Sequence, residues 1–126
     1  MINILIVDDE PHVIRVLKLS LEKNGYLVSA AHNGEQALEK LKDEFPDLLI
    51  TDIDMPRMNG KELCEQIQKI FPDRMFPILV LTSKTEIEHR EWTRDMQFTM
   101  FLEKPVSIRK LLKLLDDYKK DHGWAA

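Results

Sequence analysis

The chain has 126 residues, a formal net charge of −4, 44% hydrophobic residues and 32% charged residues. This length suits one domain, residues 1–126, and the balance of apolar and charged residues is typical of a soluble globular protein. The single cysteine, Cys64, excludes an intramolecular disulfide and a cysteine-rich zinc site, and the scattered positive charge disfavours direct nucleic-acid binding.

No segment has the pattern of a membrane span or a secretion signal. The longest apolar runs have the length of a strand, whereas a membrane span needs about 20 residues. The first ten residues, MINILIVDDE, lack a charged region followed by a small-residue cleavage site. We therefore expect a cytoplasmic protein that does not insert into a membrane.

Short apolar segments that read as strands alternate with amphipathic segments that read as helices. The predicted strands are residues 2–7, 26–30, 48–51, 77–81 and 99–102. The predicted helix starts carry capping residues, which are Pro11 for the first helix, Asn33 with Gln36, Asn59 with Glu62, Thr85 with Glu88, and Ser107 for the last. This alternation predicts an α/β fold, a doubly wound five-stranded parallel sheet with helices on both faces.

Polar residues stand at the carboxyl ends of four predicted strands. They are Asp8 and Asp9 after the first, Asp52 after the third, Thr82 after the fourth and Lys104 after the fifth. Because parallel strands end at the same edge of a sheet, these side chains are expected to share one rim. Clustered carboxylates repel one another unless a cation lies between them, and oxygen ligands suit Mg²⁺, with Mn²⁺ as a substitute.

These residues resemble the receiver domain of two-component response regulators, over essentially the whole chain. The resemblance rests on Asp8-Asp9, on Asp52 in ITDIDMP, on Thr82 in VLTS and on Lys104 in EKP. It implies a flavodoxin-like sheet of strand order 2-1-3-4-5. It also implies that Asp52 accepts a phosphoryl group from a sensor histidine kinase or a histidine phosphotransfer protein.

The resemblance implies further roles at the rim. Asp8, Asp9, Asp52 and the backbone carbonyl of Asp54 would hold Mg²⁺, while Thr82 and Lys104 would contact the phosphoryl group. The chain would thus catalyse its own phosphorylation and dephosphorylation at Asp52, although it would act primarily as a signalling switch.

Switching and signal lifetime involve residues beside the rim. The resemblance implies that Thr82 and Phe101 move on phosphorylation, and Phe101 stands where tyrosine is more frequent. The surface formed by the fourth helix, fifth strand and fifth helix would then contact a downstream protein target. Asp54 and Lys84 flank the expected path of the hydrolytic water, so this pair is expected to tune the lifetime of the phosphoryl group.

Two other classes of function stay open. A phosphatase of the haloacid-dehalogenase type would use Asp52 as nucleophile and Asp54 as acid/base, but that family has its motif after the first strand. A pseudo-receiver would keep the fold as a binding module without being phosphorylated. Individual residues also have simpler interpretations, since Asp8 and Asp9 suit a helix cap and so does Thr82. Formation of an acyl phosphate from a small donor separates the three classes.

Two segments depart from the pattern of receiver domains. The chain reads RDMQFTMF before the fifth strand, where a small Gly-Ala turn is usual, and the predicted fourth helix has few large apolar residues. Both departures affect partner choice and switching, and neither affects the residues of the rim. The sequence leaves open whether the chain acts alone or is a fragment of a longer regulator.

Overall fold

The computed structural model describes residues 1–83 and 99–122, with the backbone alone at His122. Its five strands are Asn3–Val7 (β1), Leu27–Ala31 (β2), Leu48–Asp52 (β3), Ile78–Thr82 (β4) and Thr99–Glu103 (β5). They form one parallel sheet of order β2-β1-β3-β4-β5. The predicted fold class and strand order are therefore confirmed.

Four of the five predicted helices lie within the described residues. They are Pro11–Lys23 (α1), Gly34–Asp43 (α2), Gly60–Ile70 (α3) and Ile108–His122, called here the C-terminal helix. As the sequence predicts, α1 starts at Pro11 and stops before Gly25, whose φ of 92° ends the helix. The predicted fourth helix, with its Thr85 and Glu88 cap, lies outside the described residues.

Three of the five strands differ from the predicted segments at their starts, and four differ at their ends. Ile2 and Pro77 are buried with the apolar runs but precede the ladders of β1 and β4. At their carboxyl ends, β3, β4 and β5 each continue one residue further than predicted. The added residues are the polar residues Asp52, Thr82 and Glu103. Hydrophobicity therefore marks burial, whereas backbone pairing extends to the rim.

The predicted capping boxes have different outcomes. At α3 the box is complete, because Asn59 Oδ1 accepts a hydrogen bond from Glu62 N (2.8 Å) and Asn59 N donates to Glu62 Oε1 (3.2 Å). At α2 a reciprocal box is wrong: Gln36 N donates to Asn33 Oδ1, but Gln36 Oε1 accepts from His32 N instead. Asn33 has a φ of −161° and Asn59 one of −76°, so the peptide before each cap is oriented differently.

The central strands are buried on both faces, as predicted. Along β1, Leu5 and Val7 pack in a cluster with α2 and α3, whereas Ile4 and Ile6 pack in a second cluster with α1 and the C-terminal helix. β3 and β4 alternate in the same way. Since dispersion and burial fix these strands on two sides, their carboxyl ends form a rigid edge. In the described part of the chain, no helix is long and apolar enough to cross a membrane.

Candidate functional site

The carboxyl edge of the sheet brings the predicted rim residues together. Asp8 directly follows β1, Asp52 is the last residue of β3, Thr82 is the last of β4, and Lys104 directly follows β5. The strand register makes these ends level, since Asp52 is the register partner of Leu81 in β4. Backbone pairing therefore places residues that are far apart in sequence at one edge.

Asp52 is buried and forms an ion pair with Lys104. The distance from Lys104 Nζ to Asp52 Oδ1 is 2.5 Å, and the two side chains are 33% and 5% exposed. The backbone fixes the lysine as well, because Lys104 N donates a hydrogen bond to Thr82 O (2.7 Å). The Lys104–Pro105 peptide bond is cis. A buried carboxylate is stable here because it has a charged partner.

The charges around Lys104 raise its pKa. Partial burial lowers the pKa, but the hydrogen bond and charge of Asp52, with the charges of Asp8 and Asp54, outweigh that effect. Lys104 is therefore a fixed cation at this rim across the physiological pH range. Asp54 itself is exposed, and its charge still acts on the lysine.

Three carboxylates cluster on one side of this ion pair. Asp8, Asp9 and Asp52 each offer an oxygen atom within 4.8 Å of the others. Asp8 and Asp52 are buried, and Asp9 is exposed. Within residues 1–83 and 99–122, no other group of three metal-binding side chains lies this close together.

Burial and repulsion act together on Asp8. Its pKa is raised from 3.8 to about 6, first by burial and then by the charges of Asp52 and Asp9, against the opposing effects of a backbone hydrogen bond and Lys104. That hydrogen bond is donated by Glu10 N to Asp8 Oδ1 at 2.9 Å. The ionised cluster is therefore unfavourable by itself.

This donor set fits a hard divalent cation. Carboxylate oxygens suit Mg²⁺ or Mn²⁺, which keep several water ligands. Two of the three carboxylates here are buried and one is exposed, so solvent reaches one side of the cluster. A cation there would relieve the repulsion that raises the pKa of Asp8. The residues therefore fit the cation that the sequence predicts.

The remaining predicted residues lie around this centre. Thr82 is buried at the end of β4, and Phe101, in the middle of β5, is half-buried against the cluster that packs with α2 and α3. Asp54 lies two residues beyond Asp52 in the loop before α3. Lys84 falls outside the described residues, so its pairing with Asp54 stays a prediction.

Sequence reasoning missed a groove beside the rim. The groove has a volume of about 340 Å³, and its walls include Asp52, Lys104 and apolar residues from α1 and the start of the C-terminal helix. The apolar wall consists of Val13, Val16, Leu17, Leu81, Pro105, Val106 and Ile108. A sequence signal exists in α1, because Val16 is apolar but lies off the buried stripe of Ile14, Leu17 and Leu21, and it is 53% exposed.

The groove also has a polar entrance. His12 Nε2 lies 3.3 Å from Glu10 Oε2, and both side chains are largely exposed. An exposed pair of this kind contributes little to stability. The entrance therefore combines polar side chains with an apolar wall next to Asp52.

Comparisons of the sequence with a family model and with known proteins agree on one family. The family model described as response regulator receiver domain matches residues 4–116. Response regulator MprA of Mycobacterium ulcerans is 40% identical over 111 residues, which are 88% of this chain and 47% of that protein. The alkaline phosphatase synthesis transcriptional regulatory protein PhoP of Bacillus subtilis is 38% identical over 109 residues, 86% of this chain and 45% of that protein. The chain thus spans about half the length of the curated relatives it matches.

Solved structures agree with the fold. The chemotaxis protein CheY4 of Vibrio cholerae superposes with a TM-score of 0.84 at 32% identity, covering 93% of this chain and 98% of that chain. The response regulator TrrA of Thermotoga maritima, solved in complex with Mg(2+)-BeF, has a TM-score of 0.79 at 32% identity with the same coverage.

Replacing Asp8 by asparagine is expected to stabilise the metal-free protein at neutral pH. Because its folded pKa of about 6 exceeds the ordinary 3.8, the contribution of Asp8 to stability is full below pH 3.8 and is lost as the pH rises through about 6. We expect Asp8→Asn to gain about 1–2 kcal/mol at neutral pH and nothing near pH 4.

The measurement is urea unfolding with a chelator present, across this pH range. Asp73→Asn is the control, because Asp73 is exposed in the connection before β4, at the opposite edge of the sheet. A gain that does not depend on pH would contradict the assignment of the effect to the charge of Asp8.

Proposed function

The chain belongs to the response regulator receiver domain family, and we propose that Asp52 accepts a phosphoryl group from a sensor histidine kinase or a histidine phosphotransfer protein. One observation carries this proposal. The Asp52 carboxylate is buried at a strand end, with the Lys104 ammonium on one side and the carboxylates of Asp8 and Asp9 on the other. This arrangement suits phosphoryl transfer, which needs a fixed nucleophile and positive charge close to it.

The chain's own residues account for most of the proposed transfer. A carboxylate oxygen of Asp52 attacks phosphorus, the bond from phosphorus to the donor's histidine nitrogen breaks, and an acyl phosphate forms. Lys104, whose Nζ lies 2.5 Å from Asp52 Oδ1, would balance the charge of the phosphoryl oxygens. The hydroxyl of Thr82, buried at the neighbouring strand end, is proposed to donate to one of those oxygens.

The cation site is proposed to belong to the same reaction. Asp8, Asp9, Asp52 and the backbone carbonyl of Asp54 would hold Mg²⁺, or Mn²⁺ as a substitute. When bound, the cation supplies positive charge for the phosphoryl oxygens. Asp8 and Asp52 are held by the ends of β1 and β3, so a cation would meet ligands that are already in place.

The groove beside Asp52 is the proposed contact surface for the phosphoryl donor. A partner has to bring a histidine side chain to the rim, and the groove opens there with an apolar wall on α1. Apolar residues that are exposed next to a reactive group are typical of a protein-binding surface. Val16, Pro105 and Val106 would therefore contact the donor.

Switching is proposed to run through β5, which carries both Phe101 and the strand end before Lys104. Thr82 and Phe101 would change position on phosphorylation and alter the surface that meets a downstream protein target. Asp54 and Lys84 would tune how long the phosphoryl group lasts.

The substitution Asp52→Asn is expected to abolish phosphorylation of the chain. A small phosphodonor with Mg²⁺ should add one phosphoryl group to the wild-type chain and none to Asp52→Asn, because the amide is not a nucleophile. Intact mass spectrometry measures the addition. Asp73→Asn is the control, since it makes the same change at an exposed carboxylate at the opposite edge of the sheet and should still be labelled.

Three outcomes would contradict the proposal in different ways. Undiminished labelling of Asp52→Asn would place the phosphoryl group elsewhere. Turnover of many donor molecules without accumulation of label would favour a phosphatase. Absence of label on the wild-type chain would favour a pseudo-receiver.

Mg²⁺ is expected to stabilise the folded chain, because it binds the cluster formed by folding and relieves its repulsion. At a free concentration ten times the dissociation constant the gain is about 1.4 kcal/mol. Thermal unfolding with and without Mg²⁺ measures it, and the gain should shrink in Asp9→Asn. An equal gain in Asp9→Asn would exclude Asp9 as a ligand.

Val16→Asp is expected to slow transfer from a protein donor about tenfold, because it introduces a charge into the apolar wall of the groove. The rate is measured with a phosphorylated histidine kinase domain that labels the wild-type chain. Leu19→Asp is the control, since Leu19 is also exposed on α1 but does not line the groove. Transfer from a small phosphodonor should be unchanged in both variants, and equal slowing by both donors would assign the effect to the site rather than to docking.

A further inference from the structure

The first residue of α3 lies against the backbone of the predicted phosphoacceptor. A Cβ atom built on Gly60 would lie 2.5 Å from the backbone oxygen of Asp52 and 2.7 Å from Cα of Ile53. Both are backbone atoms at the end of a buried strand, so neither can rotate away. Among the described glycines only Gly25 has a positive φ, so Gly60 is required for space and not for its backbone conformation.

Gly60 also closes the loop that carries Asp54. Its backbone N–H donates a hydrogen bond to Ile53 O (2.9 Å), and Ile53 N in turn donates to Leu81 O in β4 (3.1 Å). On the helix side, the complete capping box of Asn59 and Glu62 fixes the start of α3. The loop is therefore held at both ends by hydrogen bonds, and its first residues, Asp52 and Ile53, lie against Gly60.

A second glycine provides an internal comparison. Gly34 begins α2 after the cap Asn33, just as Gly60 begins α3 after the cap Asn59. A Cβ atom on Gly34 would lie 2.6, 2.9 and 3.1 Å from Sδ, Cγ and Cβ of Met58, all of which belong to one side chain. At position 34 a rotamer change of Met58 relieves the two shortest contacts, and a shift of a few tenths of an ångström relieves the third. At position 60 the contacts are with backbone atoms, so the backbone itself has to move.

We propose that Gly60 is a positioning residue: its lack of a side chain sets the separation between α3 and the Asp52–Ile53 backbone and thereby holds the cation ligands in place. Real Cβ contacts are essentially never shorter than 3.0 Å, but a Cβ on residue 60 would lie 2.5 Å from the Asp52 carbonyl oxygen. Alanine would therefore push these two atoms apart by at least about 0.5 Å. That displacement equals the tolerance of a functional site. The inference rests on the proposed function, because it concerns the same carboxylate and the same loop.

The test is Mg²⁺ binding by the full chain, measured by calorimetric titration without any phosphodonor. We expect Gly60→Ala to bind Mg²⁺ about tenfold more weakly, as is usual when a residue that orients metal ligands is changed. Gly34→Ala is the matched control and should bind with wild-type affinity. Wild-type affinity in Gly60→Ala, with only a lower melting temperature, would overturn the inference and leave Gly60 a purely structural residue.

A second measurement uses the unaltered chain, in case Gly60→Ala does not fold. Titration with Mg²⁺ should shift the NMR amide signals of Gly60 and Ile53, while the amide of Gly34 should stay in place. An unmoved Gly60 amide, or a wild-type chain that does not bind Mg²⁺, would overturn the inference. A chain that binds Mg²⁺ with these shifts but is never phosphorylated would refute the proposed function and leave the role of Gly60 intact.

Discussion

The ion pair between Asp52 and Lys104 is the interaction on which the rest of the site depends. A carboxylate that is 5% exposed has lost most of its hydration, and an ammonium 2.5 Å away compensates for that loss. The two residues are 52 positions apart in sequence, so only the pairing of β3, β4 and β5 brings them together. The parallel sheet is therefore a condition for the chemistry of the site as well as for its stability.

One lysine does not balance three carboxylates, and their repulsion adds to the effect of burial in raising the pKa of Asp8. The metal-free rim therefore favours species that bring positive charge, and it resists species that bring negative charge alone. A phosphoryl group is such an anion. This imbalance explains why the proposed transfer depends on a cation: the same repulsion that makes the empty cluster unfavourable makes cation binding favourable.

The sequence predicts the sheet and which side chains meet at its carboxyl edge, whereas the roles of those side chains stay predictions. Continuous apolar runs indicated buried parallel strands, and the polar residues that follow them indicated the rim, because parallel strands end at one edge. The reciprocal cap at Gln36 was wrong because its outcome depends on the φ of Asn33, which a residue pattern does not report. Gly60 and the groove were missed for a related reason. A short distance between backbones and a space between α1 and the residues after β5 are properties of packing, and neither has a local sequence signal beyond a glycine or an exposed valine.

The two sides of the rim connect Asp52 to different parts of the fold. Toward β5, Lys104 N donates a hydrogen bond to Thr82 O, so the lysine, the threonine and the strand bearing Phe101 form one hydrogen-bonded unit. Toward α3, Gly60 and Ile53 join Asp52 to a helix that packs on the opposite side of the sheet from α1. A shift of the Asp52 backbone is resisted on the α3 side, because Gly60 leaves no free space there. On the β5 side Asp52 is joined to Lys104 through side chains, and side-chain dihedrals change more easily than a backbone moves. A change of charge at Asp52 therefore meets less resistance toward β5 than toward α3.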